Sequence, residues 1–151
     1  MSFRFSLESV LRLREETVER AKDHLAEEMV QVNLAQQQVD EVNDRIDQAR
    51  MAFRESMSNG TKSSLVVQLR QFMVSLENER KSRFENLEGH QARVETCRKA
   101  LIAARRKLDT IESIRVRRLK EYEINEKREA QKELDELVVQ GVGNNMGMRY
   151  A

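Results

Sequence analysis

The chain has 151 residues, of which 35% are charged and only 5% aromatic, and it contains no tryptophan and no proline. Its 27 basic and 26 acidic side chains nearly balance, which argues against the highly charged class of disordered protein. No window approaches the ~20 apolar residues of a membrane span, the N-terminus lacks signal-peptide features, and the single cysteine, Cys97, cannot form an internal disulfide. These features predict a cytosolic protein built from long helices.

The first periodic segment lies within residues 1–57. Apolar side chains recur at every seventh position, and a companion series is small or apolar at five of its seven positions. The first series is Leu11, Val18, Leu25, Val32, Val39, Ile46 and Phe53, and the companion is Leu7, Arg14, Ala21, Glu28, Ala35, Val42 and Ala49. Such a pattern predicts helix 1, with an apolar stripe narrow enough for one partner helix to cover.

The pattern stops at residues 58–63, where Asn59-Gly60 indicates a turn and Ser63 or Ser64 is suited to cap the next helix. A second run then predicts helix 2 over residues 64–139. Its two series are Val66, Met73, Arg80, Leu87, Val94, Leu101, Leu108 and Leu69, Leu76, Arg83, His90, Cys97, Ala104, Ile111. Residues 140–151 are rich in glycine and asparagine without a period, and we expect a disordered tail there.

A short turn between two long helices predicts an all-α fold, an antiparallel coiled-coil hairpin. A parallel dimer of one very long helix is the alternative, but Asn59-Gly60 argues against it. With the turn near Gly60, Phe3 is expected near Arg118, and about 20 residues of helix 2 then extend beyond helix 1 by ~30 Å. This overhang is amphipathic; it could fray, self-associate or bind a partner.

The stretch SLVVQLRQFMVSLENER, which starts at Ser64, is unusually apolar. Val66, Leu69, Met73 and Leu76 suffice for the a and d positions, so Leu65 and Phe72 are surplus at g positions. One interpretation is a thickened core, with Phe72 folded over Phe53 and Met57. The other is a docking patch with an aromatic anchor beside leucines.

Charge is also segregated along the chain. From Arg98 to Lys120 there are nine basic and two acidic residues, whereas Asp23 to Gln48 carries seven acids and one base. Pairs such as Glu41–Arg45 and Glu77–Lys81 fit a solvated helix surface. The basic block exceeds such pairing and suggests an acidic partner surface; the lack of stacking aromatics argues against nucleic acid.

We find no pattern that indicates catalysis or a cofactor. There is no glycine-rich phosphate loop, and the two histidines, His24 and His90, with Cys97 are too few for a structural zinc site. Carboxylates are plentiful, but they lie on solvated helix faces. The sequence therefore predicts a non-enzymatic protein without cofactor or metal.

Three segments resemble the FliJ family of flagellar export proteins. They are FRFSLESVLRLREE, with Phe3, Phe5, Leu7, Val10, Leu11, Arg12 and Arg14; QLRQFMVSLENER, with Phe72 and Leu76; and KREAQKELDEL, with Gln131, Lys132, Asp135 and Glu136. The length and the two-helix plan agree as well, so the resemblance spans about residues 1–140. Injectisome stalk proteins are close cousins of this family.

The resemblance implies a central stalk or adaptor of the type III export apparatus, cytoplasmic and peripheral at the inner face of the cell membrane at the flagellar base. Its implied partners are the hexameric flagellar export ATPase, which it would stimulate, the cytoplasmic domain of the export gate, and export chaperones. Phe72 and Leu76, with Leu65 beside them, would contact the gate. The ATPase would contact Phe3, Phe5, Leu7, Leu11, Arg12, Arg14, Gln131, Lys132, Asp135 and Glu136. A holdase-type chaperone and an injectisome stalk protein are the alternatives.

Overall fold

The structure, a computed structural model, describes residues 2–60 and 62–149. It contains two helices, α1 (Glu8–Ser58) and α2 (Ser63–Arg149). The chain forms two compact units, one from residues 1–16 with 105–151 and one from residues 17–104. Met1, Thr61, Tyr150 and Ala151, at the edges of the predicted helix 1, turn and tail, lie outside the described residues.

In the unit of residues 17–104, α1 and α2 run antiparallel and pack along a seam of a and d positions. The buried side chains of this seam all occupy the predicted series: Val18, Ala35, Val39, Val42, Ile46, Ala49, Leu76, Leu87, Val94, Leu101 and Ala104. Two clusters can be distinguished, one in which Leu76 meets Val42, Ile46 and Ala49, and one in which Leu87 meets Ala35 and Val39. The predicted all-α helical hairpin is confirmed.

Polar residues at seam positions form hydrogen bonds across the seam. Arg83 donates to Oε1 of Gln38 at 3.1 Å, and Nδ1 of His90 lies 3.2 Å from Oε2 of Glu28. No buried side-chain nitrogen or oxygen among the described residues lacks a hydrogen-bond partner. Both interruptions of the apolar seam therefore have partners on the other helix, and the Arg83 side chain, which is 43% exposed, also stays partly hydrated.

Ion pairs at the seam's edge also cross between the helices. Arg45 reaches Glu79 at 2.8 Å and Arg50 reaches Glu77 at 3.4 Å. The predicted partners of Arg45 and Glu77 within their own helices, Glu41 and Lys81, are thus replaced by partners on the other helix. A long arginine spans the narrow two-helix interface easily. Such exposed pairs stabilise a fold by ~1 kcal/mol or less each.

In the unit of residues 1–16 and 105–151, the chain before α1 packs against α2. The rings of Phe3 and Tyr122 are 5.6 Å apart, and the guanidinium of Arg118 lies 5.7 Å from the ring centroid of Phe5. Phe3 therefore lies one helical turn beyond its predicted neighbour, Arg118. The reason is that residues 2–5 are not helical, and extended chain advances ~3.3 Å per residue instead of ~1.5 Å.

The overhang of α2, residues 123–149, has no α1 residue beside it, and its described side chains are exposed. It is ~40 Å long at ~1.5 Å per residue. Helix 2 was predicted to end at residue 139, before a disordered tail, whereas α2 continues to Arg149. The segment has no proline, and each glycine costs a helix only about 1 kcal/mol. Within the described residues, neither helix has a segment apolar enough to cross a membrane.

The turn between the helices depends on Gly60, whose φ of 67° is left-handed. The N–H of Asn59 donates to the carbonyl of Glu55 at 3.0 Å, so this glycine follows directly after the last turn of α1 and reverses the chain. At the start of α2, the carbonyl of Lys62 accepts from the N–H groups of Leu65 and Val66. Lys62 thus occupies the position before the helix where Ser63 or Ser64 was expected.

Two glycine substitutions should have opposite effects on stability. Gly60→Ala should lower the free energy of unfolding by about 1–2 kcal/mol, because a side chain disfavours the left-handed conformation. Gly89→Ala, inside α2 with no neighbour within 4 Å of the new Cβ, should raise it by roughly 0.5–1 kcal/mol. Urea unfolding followed by circular dichroism measures both; a stabilising Gly60→Ala would contradict this account of the turn.

Candidate partner-binding surfaces

The first candidate surface lies on the early turns of α2, where Phe72 is 51% exposed and Leu65 is 42% exposed. Leu76, the other predicted gate-contacting residue, is only 1% exposed. It packs in the cluster of Val42, Ile46 and Ala49, because it occupies a d position and Phe72 does not. The structure therefore separates the pair: Phe72 and Leu65 present apolar surface, whereas Leu76 belongs to the seam.

The alternative was that Phe72 thickens the core by folding over Phe53 and Met57. Met57 is exposed. Phe53 lines a shallow groove with Arg70, Met73 and Val74, and Phe72 does not line this groove. A thickened core would bury these side chains. The half-exposed ring of Phe72 fits a surface residue better than a core residue.

The second candidate surface is the N-terminal set of predicted ATPase-contacting residues. Phe5 and Leu11 are buried, Phe3, Leu7 and Arg14 are half-buried, and Arg12 is exposed. The aromatic and aliphatic members thus contribute mainly to packing on α2. Leu13, which was not predicted, is 52% exposed beside Arg12, and both line a shallow groove on α1 with Glu8 and Glu16.

The third candidate surface is the C-terminal set, and all four of its residues are exposed. Gln131 donates to Oδ1 of Asp135 at 3.0 Å, and Lys132 pairs with Glu129 at 3.2 Å. These contacts run along one helix and orient the side chains only locally. Gln131 lies nine residues beyond Tyr122, the neighbour of Phe3, or ~14 Å further along α2. The structure therefore does not bring the N-terminal and C-terminal sets together.

Tyr122 connects the N-terminal segment to the start of the overhang. Its ring packs on Phe3, and its pKa is raised above the usual value by desolvation, with a hydrogen bond and the negative charge of Glu126 adding to the shift. All three effects favour the neutral phenol. The ring contact with Phe3 marks the position on α2 where the N-terminal segment ends and the overhang begins.

A fourth surface was missed by the sequence-based reasoning. Residues 29–39 of α1, MVQVNLAQQQV, carry no charge in a chain that is 35% charged. Met29, Val30 and Leu34 of this run are about half exposed, although the a and d series accounts for none of them. The absence of charge over eleven consecutive residues could have indicated this surface from the sequence. Phe84 of α2, which is also outside the a and d series, is exposed as well, at 49%.

The residues considered as metal ligands do not form a cluster. His24 lies near Glu27 at 3.9 Å, and His90 lies near Glu28. Nowhere in residues 2–60 and 62–149 do three or more metal-binding side chains come together. Cys97 is a half-buried free thiol at a seam position, where it serves as a small apolar residue.

Comparison with known proteins gives a family for this arrangement. The family model described as flagellar FliJ protein matches residues 3–147, nearly the whole chain. The chain belongs to the FliJ family. A solved structure, that of CT670 from Chlamydia trachomatis, a proposed YscO homolog, is similar at 23% identity with a TM-score of 0.49, over 90% of this chain and 93% of its own. No curated protein gives a significant sequence match.

Membership of the FliJ family makes the chain a component of flagellar type III protein export with a stalk or adaptor role. The family consists of non-enzymatic adaptor proteins of the cytoplasmic export machinery. The predicted resemblance is thereby confirmed. The individual gate-contacting and ATPase-contacting residues remain predictions.

The exposure of Phe72 and Leu76 predicts a clear difference in stability. Leu76→Ala should lower the free energy of unfolding by about 2–5 kcal/mol, because it removes a fully packed side chain from the seam. Phe72→Ala should change it by less than ~1 kcal/mol, because half of the ring is already in water. Chemical denaturation of both variants tests this; equal losses would place Phe72 in the core.

Proposed function

We propose that this FliJ-family chain is a non-enzymatic stalk whose open end binds and stimulates the hexameric flagellar export ATPase. The observation that carries the proposal is the overhang, residues 123–149, whose described side chains are exposed along ~40 Å of continuous helix. A single unpaired helix with apolar side chains on its surface is costly to leave in water. A binding partner that encloses it would remove that cost.

Two features support the open end as the ATPase-contacting part. The polar side chains of the C-terminal set, Gln131, Lys132, Asp135 and Glu136, are free of contact with α1, so a partner can approach the helix from several sides. The N-terminal set contributes differently, because Phe5 and Leu11 are buried. We infer that Phe3, Phe5, Leu7 and Leu11 support the start of the overhang, while Arg12 and Arg14 supply charged contacts.

We propose that the surface around Phe72 contacts the cytoplasmic domain of the export gate. Its support is a half-exposed aromatic ring with the exposed Leu65 one heptad before it, which is the composition of an interface anchor. Leu76 lies beneath this surface in the seam. We infer that it acts by holding α2 in place and not by direct contact.

The remaining partners follow from the family alone. We propose that export chaperones bind the chain and that it works in the cytoplasm, peripheral at the inner face of the cell membrane at the flagellar base. No described residue favours one chaperone-contacting surface. A holdase-type chaperone is the alternative: it would protect many unfolded clients without needing the ATPase or the gate.

Removing the overhang should abolish stimulation while leaving the paired helices folded. Truncation after Glu126 keeps the Phe3–Tyr122 contact and removes the C-terminal set. We expect the export ATPase to show loss of most of its stimulation, measured as phosphate release, because the truncated stalk has no unpaired helix to bind. Truncation after Gln140 is the matched control and should retain stimulation; if both truncations stimulate fully, the overhang is not the ATPase-contacting part.

Phe72→Ala should reduce binding to the cytoplasmic domain of the gate at least about ten-fold, since a central aromatic anchor is typically worth 2 kcal/mol or more. Titration calorimetry with the purified gate domain measures this. Val74→Ala, which removes exposed apolar surface on another face of α2, is the control and should bind normally. Equal binding by wild type and Phe72→Ala would refute the proposed gate contact.

A further inference from the structure

A group of basic side chains on α2, next to the overhang, belongs to neither the proposed ATPase contact nor the proposed gate contact. Residues 105–120 include seven basic side chains, and all seven are exposed. They are Arg105, Arg106, Lys107, Arg115, Arg117, Arg118 and Lys120. Of the ion pairs found among the described residues, none involves any of these seven.

The contacts of Arg118 and Tyr122 establish which way this part of α2 faces. Both side chains turn toward the N-terminal segment, Arg118 through Phe5 and Ser6 and Tyr122 through Phe3. Since successive residues are ~100° apart, positions two residues away from Arg118 and Tyr122 lie on the opposite side. The outward face therefore consists of Arg106, Ser113, Val116, Arg117, Lys120, Ile124 and Lys127, with two acids, Asp109 and Glu123.

Two exposed aliphatic side chains interleave with the cations of this outward face. Val116 is 53% exposed and Ile124 is 50% exposed, and Lys120 lies one turn from each. Long basic side chains can extend past neighbouring aliphatic groups, so that the charge reaches headgroups while the aliphatic carbons enter the interface. The face runs ~32 Å from Arg106 to Lys127 along α2.

From this face we infer that residues 106–127 of α2 bind an anionic phospholipid surface. Clustered lysine and arginine attract acidic headgroups, each contributing roughly five-fold in affinity. The cations on the outward face are not held by ion pairs, and mobile headgroups can adjust to such side chains, whereas fixed carboxylates on a protein need oriented partners. Exposed aliphatic residues without an aromatic platform favour a lipid interface over nucleic acid, which stacks on aromatic rings.

The inference does not rest on the proposed ATPase and gate contacts. The face shares only Glu123, Ile124 and Lys127 with the overhang, and the residue sets at 3–14, 65–76 and 131–136 lie outside its outward positions. It gives the chain its own means of lying against a membrane, in addition to any membrane attachment through its partners. Because the attraction is electrostatic, it weakens as salt is added.

Co-sedimentation of the full chain with vesicles tests the inference. Phosphatidylcholine vesicles with one third phosphatidylglycerol should bind the chain at physiological salt, and pure phosphatidylcholine should not. The triple variant Arg106→Gln, Arg117→Gln, Lys120→Gln should bind the anionic vesicles on the order of a hundred-fold more weakly. A second variant, Val116→Ser with Ile124→Ser, should also bind more weakly, because it removes the aliphatic contribution at unchanged charge.

The matched control removes the same number and types of charge elsewhere. Arg54→Gln, Arg70→Gln, Lys81→Gln changes exposed residues of the other unit and should leave vesicle binding nearly unchanged. If the control loses as much affinity as the test variant, binding follows net charge and the proposed face is wrong. The inference also fails if the wild-type chain does not bind anionic vesicles, or if it binds soluble polyglutamate more tightly than it binds them, which would indicate an acidic protein partner.

Discussion

The structure depends on one constraint: each helix has an apolar stripe that only one other helix can cover. The buried side chains of the unit of residues 17–104 all belong to the two heptad series, so there is no third layer and no enclosed interior. In this unit, side chains outside the seam are exposed or only partly buried. Stability and binding are therefore divided by helical phase, with a and d positions for packing and the remaining positions for solvent or partners.

This division explains why neighbouring apolar residues differ in what they can do. Leu76 and Phe72 are one turn apart, yet one is fully buried and the other half exposed. A partner that needed the Leu76 side chain itself would have to open the seam and lose the packing of Val42, Ile46 and Ala49. A partner that uses Phe72 needs no such opening. Loss of binding on substitution of Leu76 would thus report the integrity of α2 and not a contact.

The sequence was sufficient for the hairpin and the core because heptad periodicity reports directly which residues face the partner helix. The sequence-based prediction was less accurate where the backbone is not helical, because the distance spanned per residue then differs from the helical rise. The non-helical residues 2–5 moved Phe3 from Arg118 to Tyr122, and no periodic pattern records such a change. The end of α2 was missed for a related reason: glycines and asparagines lower helix propensity without breaking a helix. Surface positions such as Met29 and Phe84 lie outside the series, so periodicity says nothing about their partners.

The unequal lengths of the two helices have a functional consequence. Because Phe3, which precedes α1, packs on Tyr122 and α2 continues to Arg149, the last part of α2 is a single helix whose described side chains are all exposed. A single helix in water is marginal even when its sequence is favourable, so its helical state is strengthened by whatever binds it. Binding at the overhang thus couples to the order of that segment. The contact of Phe3 with Tyr122 lies directly before the overhang. The aromatic pair therefore connects the segment that a partner would order to the part of α2 that packs on the N-terminal segment.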